Sequence, residues 1–451
     1  MKDGPTQSSG RTQAPSRAVW NRSDRTALMT SGEIGMRMWN PAADLQPAEV
    51  ISCATAADVQ AALARAANAR LGVSVLSGGH GRPGRSLQRG GVVLDLSPMR
   101  AATVIGDVVI AGGGALSLDA MIAAEREGYS IVAGTVGSVG IAGFTLGGGY
   151  GPLNGLVGTG ADNLLAAEVV LADGRLVHTS ERSDPDLLWA LRGGGGNFGV
   201  VTALHLRAFP ITSVLTGRVT FGWDQAADVL RGFGELCAKA PDEFTARAGA
   251  TTLPDGTDVA YVAPTWLGDP ASGEQWMERV TGLGRPLSVD MRTMAFSDVL
   301  REGEAAFADT TMHHDMGTRN VAAVNSAVAA TIIEAAEART SPSSVIEIVP
   351  FHGVATRLPI ELAAFAQRKP HFLVEMIGSW SPDDGATDKD WARDTSRKLA
   401  PHALPGGYPN LLGPADDEQV AHAYGPNTER LVALKRRYDP RTIFSATPLP
   451  R

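Results

Sequence analysis

Cysteine is nearly absent. The two thiols, Cys53 and Cys237, lie in no ligand-like spacing and are too few for a disulfide framework. Basic charge is in the minority, with 40 Lys and Arg against 48 Asp and Glu, a net charge of −8. That balance leaves no electrostatic footprint for nucleic acid. Aromatic residues make up only 6%. No apolar run reaches the roughly 20 residues needed to cross a bilayer. The opening stretch MKDGPTQSSGRTQAPSRAVWNRSDR has no apolar signal core. These absences predict a cytoplasmic protein with no nucleic-acid and no membrane partner. Also missing is a convincing GxGxxG between a strand and a helix. The nearest stretch, GGGALSLDA at 112–120, lacks the third glycine, which argues against a Rossmann dinucleotide enzyme.

Glycine, by contrast, is abundant at 52 residues and comes in clusters without a strict repeat. One cluster, SGGHG at 77–81, places His80 among glycines directly after the strand-like VSVL. A second, GTVGSVGIAGFTLGGGYGPLNGLVG at 134–158, is too glycine-rich for a regular helix throughout and too apolar for a linker. A third, GGGGNFG, begins at 193. A single glycine cluster is as often a plain set of tight turns. Three within some 120 residues point instead to a large ligand lying across several loops, because bare amides can converge on phosphate oxygens.

Around these clusters the pattern alternates. Residues 55–69 have helical spacing, with Thr55 and Asp58 placed as a capping box. GVVLDLS (91–97), VVIAGG (108–113) and SIVAG (130–134) are strand-like. LSLDAMIAAERE (116–127) is helical with Ser117 as cap, and 166–180 forms a hairpin turning at Asp173–Gly174. A short helix over 184–193 ends in glycine, and the strand after it is closed by Pro210. Beyond residue 210 the glycine clusters stop. Residues 224–239 and 319–339 are alanine-rich and helical, SVIEIVPF (344–351) and HFLVEMIGSW (371–380) alternate as strands, and 427–444 is again helical. The expected organisation is a leader at 1–37, a ligand-binding domain at 38–210, a second domain at 211–405 made of a sheet with helices on one side, and a C-terminal segment at 406–451.

Residues 73–210 and 408–444 carry a specific likeness. The chain resembles the VAO/PCMH superfamily of FAD-linked oxidases, in the berberine-bridge-enzyme-like branch. The resemblance implies an α+β fold with a PCMH-type FAD-binding domain of two subdomains, a substrate domain whose antiparallel sheet is covered by helices, and FAD as cofactor. It implies that Ser77, Gly78, Gly79, His80 and Gly81 form the loop reaching the flavin, with His80 joined through Nε2 or Nδ1 to the 8α-methyl carbon. Leu76 replaces the arginine usual before that loop. Gly134, Thr135, Val136, Ser138, Val139, Gly140, Ala142, Gly143, Gly148, Gly149 and Tyr150 match the second flavin loop. Some relatives carry there a cysteine that makes a second covalent bond. Val136 stands at that position here, so one bond is expected. Ile141 sits near the place that tunes oxygen access. Asp162 and Asn163 are expected to organise the loop near the cofactor, and Gly195, Asn197, Phe198, Gly199 and Val200 to pack about its ADP half.

The resemblance also implies a base. The stretch Tyr408–Pro409–Asn410–Leu411 retains the first tyrosine and the asparagine of a YxNY pattern, which makes Tyr408 the base and Asn410 its positioning partner. Glu375, in an otherwise apolar strand, is the rival, because a carboxylate there needs a partner, water or a task. Glu347 and His352 raise the same question, with solvent exposure the expectation for Glu347, and Arg368 is a candidate for holding the domain together. His313–His314–Asp315 is read as a polar loop at the pocket edge, and no metal is expected. Trp223, Trp266, Met294, Phe296 and Trp380 are either pocket walls for an aromatic substrate or core. The expected reaction is hydride transfer from a small-molecule alcohol, hemiacetal or amine of specialised metabolism, with O2 reoxidising the flavin to give H2O2. A redox-neutral cyclase of polyketides or polyenes, suggested by the altered YxNY, and a non-catalytic flavin-containing carrier are the alternatives.

Overall fold

The structure, a computed structural model, describes residues 38–40, 46–81, 85–305, 309, 311–384, 390–413, 415–445 and 447–450. The leader expected over 1–37 lies outside the described residues. A small parallel sheet comes first, with β1 (Glu49–Ser52), β2 (Val73–Leu76) and β3 (Val92–Asp95) in the order β1–β3–β2. The helix Ala56–Ala69 crosses between β1 and β2. Its capping box is in place, with the Asp58 N–H donating to Thr55 Oγ1 at 3.2 Å and the Thr55 N–H to the Asp58 carboxylate at 2.9 Å. Val59, Leu63 and Ala66 form its buried face, and the left-handed Arg70 ends it.

The next sheet contains β4 (Ala102–Ile105), β5 (Val108–Gly112), β6 (Ser130–Ile131), β7 (Leu164–Val170), β8 (Leu176–Ser180) and β9 (Val200–Phe209). The strand order is β4–β5–β9–β7–β8, with β6 also on β9. The 166–180 hairpin is present, and Gly174 supplies the φ of 84° that its turn requires. Ser117 does not cap the helix Ser117–Arg126. It is the first helical residue, its hydroxyl donates to the Val139 carbonyl, and the Asp119 carboxylate takes the Leu116 N–H instead.

The third sheet is antiparallel and holds β10 (Val214–Gly222), β11 (Phe244–Thr252), β12 (Asp258–Trp266), β13 (Pro286–Met294), β14 (His313–Val321), β15 (Val345–Phe351) and β16 (His371–Trp380). Its order is β13–β10–β12–β11–β15–β16–β14, which leaves β14 at one edge. Val219, Val262, Ala248, Ile348 and Val374 stand in register and bury one face against helices that include Ala226–Cys237 and Ser326–Glu337. Two readings of the sequence are corrected. The helix expected over 319–339 begins only at Ser326, capped by Asn325, because β14 runs on to Val321. His313–His314–Asp315 is not a loop but the start of β14.

The chain then returns to its first third. The helix Thr428–Tyr438 buries Leu431, Leu434 and Tyr438 in the core that contains β7 and β9. Buried Lys435 Nζ donates to the Asn197 carbonyl at 2.9 Å, to Asp439 at 2.6 Å and to the Phe444 carbonyl at 2.5 Å. The Val73 N–H donates to the Ile443 carbonyl at 3.0 Å, so the last residues extend the edge of β2, the strand that leads to His80.

Candidate active site

β2 ends at Leu76, and the chain turns through Gly79 at φ 73°. This turn lies backbone to backbone against the second glycine loop. A Cβ on Gly78 would overlap Gly140 N and Ser138 O, and one on Gly140 would overlap Ser77 Oγ. Only glycine permits that approach. His80 points at the same loop, its Nε2 2.9 Å from Ser138 Oγ. Burial pulls the imidazole down to about 4, so the ring is neutral at physiological pH. Trp39, donating its N–H to the Gly79 carbonyl at 3.2 Å, stacks on the ring at 6.3 Å and 18°.

The second loop contains the short helix Ile141–Leu146 and meets the Tyr408 segment. Tyr408 Oη accepts three donors at 3.0 Å each: the N–H groups of Gly149 and Tyr150 and Asn410 Nδ2. Asn410 Nδ2 also donates to the Phe144 carbonyl. Burial pushes the Tyr408 phenol up, and these donors offset part of the rise. The Tyr150 ring stacks on Tyr408 at 4.0 Å, and its hydroxyl meets His371 Nε2 at 3.2 Å. His371 Nδ1 faces the Lys369 carbonyl at 2.7 Å, which can only accept, so Nδ1 carries the proton and Nε2 takes the Tyr150 O–H.

Glu375 stands across from this aromatic group, on the sheet face free of helices. Thr318, Glu375, Glu347, Gly249 and Tyr261 lie in one register row across β14, β16, β15, β11 and β12. The flanking Leu373 and Phe351 pack with Tyr150 and Tyr408, so this face is turned toward the glycine loops. Glu347 does not simply face solvent, as the sequence suggested. It binds Arg247 at 3.1 Å and accepts the Tyr261 O–H at 2.8 Å. Glu375 has no hydrogen-bond partner among the described residues. Burial, reinforced by the Glu347 charge and offset by Arg247, pushes its carboxyl up to about 8.

The remaining candidates are spread around this centre. Asp162 accepts the Thr159 N–H and hydroxyl and forms a buried ion pair with Arg368 at 2.6 Å, joining the two halves of the molecule. Asn163 Nδ2 donates to the Val157 and Thr159 carbonyls of its own loop. The Gly137 N–H donates to the Leu300 carbonyl, so the segment holding Gly134, Thr135 and Val136 rests on the helix Phe296–Ala305. Val139 takes the Ser117 N–H. Gly148 and Gly149 both need positive φ, 124° and 82°. Gly199 packs against Val169, and Val200 opens β9 in the core of the small parallel sheet. Trp266 and Phe296 are core, and the Trp223 indole N–H pairs with Glu337 at the surface, so these three form no aromatic pocket wall.

Arg247 and Tyr261 were missed in the sequence. Their only signal is alternation in β11 and β12, strands that went unread. Trp39 lies just past the leader expected over 1–37, and no periodicity marks it.

The residues present fit a bound FAD. Ser77 Oγ and Thr145 Oγ1 are buried without partners among the described residues, an added Cβ on exposed Gly143 would enter open space, and a neutral imidazole stands at the loop contact.

Residues 47–180 match the family described as FAD binding domain, and residues 408–448 the family described as berberine and berberine like. (R)-6-hydroxynicotine oxidase of Paenarthrobacter nicotinovorans is 29% identical over 421 residues, covering 88% of this chain and 90% of its own. The FAD-linked oxidoreductase aurO of Gibberella zeae is 27% identical over 424 residues, covering 90% and 81%. The crystal structure of 6-hydroxy-D-nicotine oxidase from Arthrobacter nicotinovorans superposes with a TM-score of 0.86 at 27% identity, covering 96% of this chain and 100% of its own. The family matches at the glycine loops and at the C-terminal segment, with relatives similar over nearly the whole length, identify the chain as an FAD-dependent oxidoreductase similar to the berberine-bridge-enzyme-like branch of the VAO/PCMH-type FAD-linked oxidases.

Proposed function

We propose that the protein is an oxidase that takes a hydride from a small-molecule alcohol, hemiacetal or amine of specialised metabolism, with Glu375 as base and His80 as the point of covalent flavin attachment. Residues 38–210 and 406–451 then hold the cofactor, and 211–405 supplies the substrate face. Bound FAD supplies a hydride acceptor at N5 and a route for the electrons to O2, which leaves as H2O2.

The observation that carries this reading is Glu375. Its carboxyl is unpaired, its pKa is near 8, and it faces the glycine loops from an apolar strand. A base works best with a pKa near the operating pH. Ionised Glu375 takes the proton from the donor's O–H or N–H while the hydride leaves the adjacent carbon. Tyr408 suits that task less well. Its phenol is raised further above 10, and its oxygen already accepts three donors. In this reading Tyr408 and Asn410 brace the second loop. Arg247 and Tyr261 hold Glu347 in place opposite Glu375, and the Glu347 charge helps keep Glu375 basic.

The test is anaerobic mixing with panels of alcohols, hemiacetals and amines. Bleaching of the flavin, followed by peroxide when air is admitted, supports an oxidase. Product formation without any change in flavin redox state overturns it in favour of a redox-neutral cyclase, and ligand binding without turnover favours a carrier.

A further inference from the structure

A histidine in a glycine turn has no neighbours to hold its ring. Gly78, Gly79 and Gly81 offer no side chain against which the imidazole can rest. An unheld ring samples several rotamers, and ordering it opposes any reaction that needs one of them. The ring is nevertheless fixed, by two groups distant in sequence. Ser138 Oγ holds Nε2 at 2.9 Å, and the Trp39 indole lies against the ring at 6.3 Å and 18°.

Trp39 is itself held. Its indole stacks on His314 at 4.5 Å and 5°. His314 is fixed in turn by Ser379 Oγ at 2.8 Å from its Nδ1. The adjoining Asn40 clips onto the edge strand β14, with Nδ2 donating to the His314 carbonyl at 2.5 Å and Oδ1 accepting the His314 N–H at 3.2 Å. The Trp39 N–H holds the turn at Gly79. Thus the pair Trp39–Asn40 ties the flavin turn to the substrate sheet, with the indole stacked on both the His80 and the His314 imidazoles.

We propose that Trp39 is the positioning residue for flavin attachment: its indole, backed by His314, sets the plane of the His80 ring so that one imidazole nitrogen meets the 8α carbon. This rests on the reading of His80 as the attachment point. In that step an imidazole nitrogen bonds to the 8α carbon while one C–H and one N–H bond break. The two electrons left in the cofactor pass to O2, which departs with the two protons as H2O2.

The experiment follows acid-stable flavin on the polypeptide over time, after chain produced under riboflavin limitation is mixed with FAD. W39A is expected to bind FAD reversibly but to attach it about ten-fold or more slowly, the scale of loss that misplacement of a reacting group brings. W39F, which keeps an aromatic face, is expected to recover most of the rate, whereas W39L, which fills space without one, is not. Attachment at the wild-type rate in W39A overturns the proposal. If W39A does not fold, the other two variants decide, and equal rates in W39F and W39L overturn it. Absence of acid-stable flavin from the wild-type chain is a separate result, and it overturns the His80 reading on which this one stands.

Discussion

Glu375 stands directly opposite Glu347 across β15 and β16, two carboxyls in register on an antiparallel pair. Of the two, only Glu347 forms an ion pair among the described residues, with Arg247 at 3.1 Å. The asymmetry assigns their roles. The paired carboxyl is anchored, and the unpaired one, buried beside it, holds its proton up to about pH 8.

Glu375→Gln should lower kcat roughly 100- to 10,000-fold, the usual contribution of a general base. The wild-type rate should rise with pH through about 8 and level off above it, because the base must be ionised. The variant's residual rate should lack that step. Steady-state kinetics from pH 6 to about 10 check both.

Arg247→Met should move the same midpoint upward. Arg247 is the cation that offsets burial and the Glu347 charge at Glu375. Stability should follow the same linkage. A carboxyl raised from 4.5 to about 8 stays protonated in the folded chain over a window where the unfolded chain has released its proton. Its unfavourable ionisation therefore erodes stability as pH rises through that window. Urea midpoints at the two ends should differ less in Glu375→Gln than in wild type.

Tyr408→Phe separates bracing from catalysis. It leaves the Gly149 and Tyr150 N–H groups without their acceptor and should cost about 1–3 kcal/mol. In the folded fraction the pH midpoint should not move. A collapse of kcat at unchanged stability would transfer the role of base to Tyr408.

His80→Ala should abolish acid-stable flavin while reversible FAD binding persists. Absorbance of the acid-precipitated polypeptide measures the first, and gel filtration of the native protein the second.

Arg368→Met strands Asp162 in a buried site. Both side chains of the pair are almost wholly buried, 7% and 6% exposed, and breaking such a pair costs about 3–5 kcal/mol. The double variant with Asp162→Asn should recover much of the loss, which chemical denaturation would show.

Local chemistry was legible in the sequence where it is short-range. The Thr55–Asp58 box and the Gly174 turn need only three or four residues to form, and both stand. Ser117 misled because a serine at a helix start is a good cap in isolation, while here a carbonyl 22 residues away claims its hydroxyl. His313–His314–Asp315 suggested a loop because polar residues are unusual in a strand, yet His314 is buried against Trp39 and Ser379. The proposed site could be picked out in the sequence as residue types, His80 and Glu375 among them. Its logic could not be, because the partners that tune them, Ser138, Trp39, Arg247 and Tyr261, are fixed by register between distant strands and by loop contact.

The hydrogen bond from Val73 to Ile443 has a consequence for the order of folding. The strand that presents His80 gains this neighbour from a segment hundreds of residues further along the chain, and Tyr408 reaches the second glycine loop across a separation of 259 residues. Contacts so distant in sequence carry the entropy of closing a long loop before they return any stability, so they form late. Deleting the segment that holds Ile443 should therefore loosen the His80 turn while the local capping box and hairpin survive, which hydrogen exchange would show.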